Sequence, residues 1–334
     1  MTPAHTYTRR RRIQREIHRG LELVRATESA ALTVGRWLGR GDKVGTREGS
    51  QLAMSDALEA MTFDGRIVIG VDDPASLLQV GRHVGTGREQ LDLALLPVDG
   101  ISLVTNGFSQ ALSIAVSTES GGIPAPLPVA YMEKIAVGPQ ARGAIDILDT
   151  PENNLRRIAF AMDMPLQDVT VVMLDRPRHE PLLQRIREVG VRVALISDGD
   201  VGAAMMAAWP GSGIHVLMGS GGTKEAILAA CVLRCLGGEL QCKPWVRHDD
   251  EATALRHVNL DPEGVITMHD LVPAGDISVA VTGVTGGGIL RGVQYHDWWA
   301  ESHSLVMRLK SGTIRELRTR HHYASMPENK QRIN

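Results

Sequence analysis

A disulfide framework is excluded by the cysteine count. The 334 residues hold three cysteines, Cys231, Cys235 and Cys242, and an odd, clustered set in a chain of this size fits a reducing compartment. Cys231 and Cys235 lie four apart on an apolar helical pattern and read as small buried hydrophobes. No His or Cys pair at zinc spacing accompanies them. No run is long enough to span a bilayer. At the N-terminus, Arg9 to Arg12 lead into Ile13-Gln14-Arg15-Glu16 without the apolar core of a secretory signal. A formal net charge of −2 gives no global field that would steer the chain to nucleic acid or to a membrane. The expectation is a cytoplasmic protein with neither of those partners, and its ligands must be sought in local sites. Internal repeats and low-complexity stretches are also lacking.

What is present is enough chain for two lobes. Residues 1–12 are polar and basic, expected to be mobile, and the four-arginine run reads as a solvated tail or a helix start at a subunit contact. From Ile13, apolar residues recur at Ile17, Leu21, Val24, Ala31, Leu32 and Trp37 with helical spacing, and Gly39 and Gly41 stop the run. A second helix is expected over Thr46 to Ala60, then a tight turn at Asp64-Gly65 into a strand, Arg66 to Gly70. Leu91 to Leu96 and Ala111 to Ser117 read as strands, followed by an irregular loop with Gly121, Gly122, Pro124, Pro126 and Pro128.

After residue 150 capped helices alternate with short apolar strands, the pattern of a parallel sheet covered on both faces. Three such strands, 169–174, 191–196 and 216–218, run into polar turns: Asp175-Arg176-Pro177-Arg178-His179, Ser197-Asp198-Gly199-Asp200 and Gly219-Ser220-Gly221-Gly222. Ligands of open α/β sheets bind beyond the carboxyl ends of the strands, so the three turns point to one crevice. Further on, 243–264 is charged and reads as a surface excursion. Ile277 to Thr282 is strand-like, Ser304 to Leu309 and Thr313 to Leu317 form a hairpin closed at Ser311-Gly312, and the tail from Pro327 is expected to be disordered.

Arg176 and Arg178 flank a proline, which suits two guanidinium groups to phosphate oxygens. They suit surface ion pairs equally. Asp198 and Asp200 either accept from sugar hydroxyls or cap the helix beginning near Val201. Gly221 and Gly222 open a helix and would admit a ligand to free backbone N–H groups. Glu225, in the first turn, is either a metal ligand or an acid favoured there by the dipole. The stretch Leu95-Leu96-Pro97-Val98-Asp99-Gly100-Ile101 ends a strand in a proline and an acid-glycine pair, a common presentation of carboxylates to metal and phosphate. Asp99 is alone there, and Leu96 fills the place of a second acid.

Taken in order, the blocks Trp37-Leu38-Gly39-Arg40-Gly41-Asp42-Lys43, Asp64 to Gly70, Tyr131 to Pro139, Leu174 to His179, Ile196 to Val201, Thr282 to Thr285 and Leu290 to Val293 strongly resemble class II fructose-1,6-bisphosphatases. These are the bacterial type, which in cyanobacteria also handles sedoheptulose-1,7-bisphosphate. The resemblance implies an α/β, layered αβαβα sugar-phosphatase fold with two lobes. Residues 1–150 would carry the metal and phosphate side and 151–334 the sugar-phosphate side. It also implies Mg²⁺ or Mn²⁺, a phosphorylated sugar, a dimer or tetramer, and a place in carbohydrate metabolism such as gluconeogenesis. Tyr131, Arg176, Arg178, Asp198, Gly199, Asp200 and Gly222 correspond to substrate contacts.

The metal side departs from the pattern. Arg47, Val71 and Leu96 stand where the family has carboxylates, Ile101 replaces a threonine, and Asp99 is a shortened Glu; Glu225 matches outright. Hard cations need several oxygen ligands, so metal binding through Asp99 and Glu225 is expected to be weak or lost. Asp72 or Asp73 taking over is a lesser alternative. Lys43, Arg47, Asp99 and Glu225 are the candidate catalytic groups, with Arg47 suited to binding a phosphate in place of metal charge. The expected function is sugar-phosphate binding without efficient metal-dependent phosphatase activity. The alternative is an active sugar bisphosphate phosphatase with a reduced metal set, or a repurposed sugar-phosphate enzyme.

Overall fold

The computed structural model describes residues 19–323. The Arg9 to Arg12 run, the expected mobile stretch 1–12, the helix start at Ile13 and the expected tail from Pro327 lie outside the described residues. The chain begins with helices α1 (Arg19–Val34) and α2 (Lys43–Glu59), then strands β1 (Asp64–Ile69), β2 (His83–Val84) and β3 (Gln90–Asp99), a short helix α3 (Ile101–Thr105) and β4 (Leu112–Glu119). The middle comprises β5 (Tyr131–Val137), α4 (Pro151–Ala161), β6 (Thr170–Leu174), α5 (Glu180–Glu188), β7 (Arg192–Ile196), α6 (Asp200–Ala208), β8 (Val216–Gly222), α7 (Thr223–Leu236) and β9 (Glu239–Pro244). It closes with α8 (Asp249–His257), β10 (Ile266–Thr267), α9 (Met268–Leu271), β11 (Ile277–Gly283), β12 (Gln294–Tyr295), β13 (Trp299–Arg308) and β14 (Thr313–His322).

Among the described residues the strands form two sheets. One has eight strands in the order β12-β13-β11-β4-β3-β1-β2, with β14 also on β13; the other has six, in the order β10-β9-β5-β8-β6-β7. Two-residue alternation sorts side chains to opposite faces. In the first sheet Leu91, Leu93, Ala115 and Ala280 face α1 and α2, while Ile114, Val116, Val279 and Val281 face α6 and α7. In the second, Met132, Val172 and Leu217 meet α6 and α7, whereas Ile135, Val171 and Met218 pack against α4 and α5. The layers are therefore helix, sheet, helix, sheet, helix: the αβαβα arrangement. No helix among the described residues is long and apolar enough to cross a membrane.

Several expectations are corrected. Asp64 and Gly65 are the first residues of β1, paired with Gln90 and Leu91 of β3, and form no turn. The second sheet is mixed: β6 runs parallel to β7 and β8, but β5, β9 and β10 are antiparallel to their neighbours. Edge strand β7 leaves Leu195 exposed, so that margin is not covered on both faces. Gly219 to Gly222 continue β8, with Gly222 opposite Tyr131 and Gly219 opposite Lys134. Sheet membership also interleaves along the chain, since β5 lies in the second sheet and β11 to β14 return to the first.

Candidate active site

Strand β3 reaches the site through an irregularity. Its register with β4 slips between Leu96 and Asp99, around Pro97, which has no N–H to donate to a ladder. Asp99 then closes the strand and is buried. Its Oδ2 accepts from the Gly202 backbone N–H in the first turn of α6 at 2.8 Å. Burial holds its carboxyl well above the usual carboxylate range, the negative charges of Asp200, Asp198 and Glu225 push the same way, and the Gly202 bond opposes them.

Around Asp99, side chains from separate elements close a cavity of about 570 Å³. Arg47 enters from α2. Leu96, Val98 and Ile101 come from the β3–α3 junction, Tyr131 from the start of β5, and Arg176 and Arg178 from the turn after β6. Asp198 and Asp200 flank the start of α6, and Gly222 and Glu225 the start of α7. The expected Arg176, Arg178, Asp198, Asp200, Gly222, Glu225, Asp99, Tyr131 and Arg47 thus share one wall system. Two do not line it. Lys43 is an exposed residue at the first position of α2, and Gly199 is the left-handed residue (φ 87°) before α6, facing a smaller hollow with Gln110 and Leu112.

Each acid has a partner or a burial cost. Asp198 accepts from the hydroxyl of Ser102 and, at 3.4 Å, from its N–H. Asp200 Oδ2 accepts from the buried Lys134 ammonium at 2.6 Å. That pair occupies the room that a side chain on Gly221 would take: a Cβ there would lie 1.9 Å from Asp200 Oδ2 and 2.9 Å from Lys134 Nζ. At Gly222 a Cβ would meet Glu225 Oε2 at 2.0 Å, so the carboxyl folds back over the helix start. Burial, with help from Asp200, raises its pKa, and Lys134 works against the rise.

On the other side Arg178 is held at one edge, Nε donating to Ser220 Oγ at 2.9 Å and Nη2 to Ser220 C=O at 3.0 Å. Its guanidinium lies over the rings of Tyr131 and Trp245 at 5.3 and 5.6 Å, and Arg247 lies over Tyr131 at 4.9 Å. Arg176 donates to the Asp175 carbonyl. The guanidinium of Arg47 has no acceptor among the described residues. Guanidinium groups beside a helix start are an arrangement that receives oxyanions.

Asp92 stands apart, buried beneath Arg66 and the Gly121 N–H. Asp72 is paired with Lys224 at 2.5 Å and Asp73 closes its own turn on the Ala75 N–H. Val71 packs against the α1–α2 core. Neither acid nor Val71 lines the cavity. Sequence reasoning missed Lys134, Ser220, Trp245 and Arg247, which contact the cavity-lining Asp200, Arg178 and Tyr131, and His179, which is bonded to Ser220. For Lys134 the signal was available: it shares the inward register of Met132 and Ala136 on β5.

An α/β protein with a polar cavity at strand ends and helix starts, lined by arginines and carboxylates together, is the class these features define. The model of the family described as bacterial fructose-1,6-bisphosphatase, glpX-encoded, matches residues 18–321, and the chain belongs to that family. It is 35% identical over 330 residues to the D-fructose 1,6-bisphosphatase class 2/sedoheptulose 1,7-bisphosphatase of Synechococcus sp. (strain JA-2-3B'a(2-13)), covering 90% of this chain and 95% of the relative. The protein of the same name in Synechococcus sp. (strain JA-3-3Ab) is 34% identical over the same shares. Fructose-1,6-bisphosphatase 1 class 2 of Escherichia coli (strain K12) is 35% identical over 319 residues, 90% of this chain and 94% of the relative.

Family membership suggests use of a divalent metal. A dication of this kind takes about six oxygens. Asp99 accepts from Gly202 and Asp200 from Lys134, each through one oxygen, Asp198 and Glu225 also face the cavity, and Arg47, Leu96 and Ile101 offer no anionic oxygen. Among the described residues no three His, Cys, Asp or Glu side chains are grouped to hold a metal ion.

Proposed function

We propose that the cavity binds a phosphorylated sugar of the fructose 1,6-bisphosphate type and that the chain lacks efficient metal-dependent phosphatase activity. The observation that carries this reading is the composition of one wall: Arg47, Leu96 and Ile101 line the cavity beside an Asp99 already bonded to Gly202. Arg176 and Arg178 supply cationic donors. Arg47 supplies positive charge where the family would place a metal, and it does so without an ion. Metal binding at Asp99 and Glu225 is weak or lost on this reading. The same reading assigns 1–150 to the former metal side and 151–334 to the sugar-phosphate side, in a cytoplasmic homo-oligomer, a dimer or tetramer.

One observation favours an active enzyme with a reduced metal set: both remaining acids, Asp99 and Glu225, face the cavity. Calorimetry with fructose 1,6-bisphosphate in metal-free buffer, and phosphate release with Mg²⁺ or Mn²⁺ beside the Escherichia coli relative, separate the two. Binding without metal and release at least about a hundredfold slower than the relative are expected, since each tenfold is a barrier difference of only about 1.4 kcal/mol. Turnover at the relative's rate overturns the proposal.

A further inference from the structure

His179 and Ser220 form a small buried network that the cavity's own chemistry does not use. The turn Pro177–His179 after β6 places Arg178 at the cavity and His179 inside, 5% exposed. The ring lies against Gly219, where a Cβ would come within 3.1 Å of it. Three contacts determine its tautomer. The Ser220 backbone N–H donates to Nε2 at 2.9 Å, so Nε2 carries no proton; the proton is then on Nδ1, which donates to the Leu174 carbonyl at 2.8 Å. The Ser220 hydroxyl, 2.9 Å from Nε2, gives its proton to the same nitrogen, leaving its oxygen lone pairs toward Arg178 Nε.

The surroundings keep the ring neutral. Burial lowers the His179 pKa, and the neighbouring cations Arg178 and Arg176 add to it, while the Leu174 and Ser220 bonds oppose. Lys134 and Asp200, already paired with each other, face the ring across a hollow of about 10 Å³. A neutral imidazole is therefore a standing acceptor for Ser220. Arg178 uses two of the guanidinium's five N–H donors on Ser220, and among the described residues the other three meet no acceptor.

We propose that His179 and Ser220 are positioning residues for Arg178: by clamping the Nε and Nη2 edge of its guanidinium they turn the opposite edge toward a phosphoryl group in the cavity. This rests on the sugar-phosphate reading. The clamp works through a single hydroxyl and one carbonyl, and the rings of Tyr131 and Trp245, packed edge to face on each other, lie against the guanidinium.

The test is a double-mutant cycle on the full chain, read by calorimetry with fructose 1,6-bisphosphate without metal. Ser220→Ala is expected to weaken binding about tenfold, the scale of one hydrogen bond to a charged group. In an Arg178→Ala background the same change is expected to do nothing further. Equal losses in both backgrounds, or no loss in Ser220→Ala, overturn the proposal while wild-type binding leaves the cavity reading intact. A wild-type chain that binds no bisphosphate overturns the cavity reading and the positioning role with it. Independently of any variant or ligand, nitrogen-15 spectra of histidine-labelled chain are expected to show His179 protonated at Nδ1, and an Nε2-protonated ring overturns the proposal.

Discussion

The Lys134 ammonium donates to Asp200 Oδ2 at 2.6 Å with side chains only 3% and 8% exposed, an ion pair sealed between β5 and the start of α6. Its removal from one side leaves a charge without water or partner. Lys134→Met is expected to lower unfolding free energy by about 3–5 kcal/mol, and Lys134→Met with Asp200→Asn to recover most of that. Urea denaturation at pH 7 measures both. Similar losses in the single and double variants would show that the pair carries no special dependence.

Asp99 sets a pH dependence with a definite sign. Its folded pKa lies above the unfolded value, so its contribution is fully present below the unfolded pKa and is lost as pH rises through the folded one. Asp99→Asn keeps an oxygen for the Gly202 N–H and removes that loss. The variant is expected to be more stable than the parent at pH 8, with the difference shrinking toward pH 4. A difference independent of pH would contradict the assignment.

Thiol chemistry offers a simple check on the middle layer. Burial pushes Cys235 and Cys242 up to about 12 and Cys231 higher still. A thiol with that pKa is ionised on the order of one part in 10⁴ at pH 8, and the thiolate is the reacting form. An aromatic disulfide reagent is expected to label none of the three in the folded chain and all three in guanidinium. Rapid labelling of Cys235 without denaturant would mean that α7 opens.

The proposed loss of metal binding is tested by introducing the family's residues beside Asp99. Arg47→Asp, Leu96→Asp and Ile101→Thr together are expected to raise Mn²⁺ affinity at least about tenfold over the parent and to make thermal stability respond to Mn²⁺. Arg47 is exposed and Leu96 only partly buried, so the new carboxylates have access to water. If calorimetry finds no gain, carboxylate loss is not what separates this cavity from a metal site.

Much of the site was legible because its residues end strands or begin helices, where Pro, Gly and acids mark the chain. Arg176, Arg178, Asp198 and Asp200 sit where the turn chemistry put them. The glycines of β8 misled because glycine usually signals a turn; here Gly219 clears His179, Gly221 clears Asp200 and Lys134, and Gly222 clears Glu225. Asp64-Gly65 misled in the same way, Gly65 lying against Leu93 and Phe63 inside the sheet. Sheet order was not legible, since the pairing of β11 with β4 joins distant stretches that share only an apolar alternation.

That pairing dictates when the protein can fold. β4 ends at Glu119 and β11, its neighbour, begins at Ile277. A ribosome adding about 5–20 residues per second needs roughly 10–30 s to make the intervening chain. Throughout that interval β4 presents the edge that β11 later pairs. Non-local pairing of this kind is slow even after synthesis. A product truncated before residue 277 keeps that edge open and is expected to aggregate through β4.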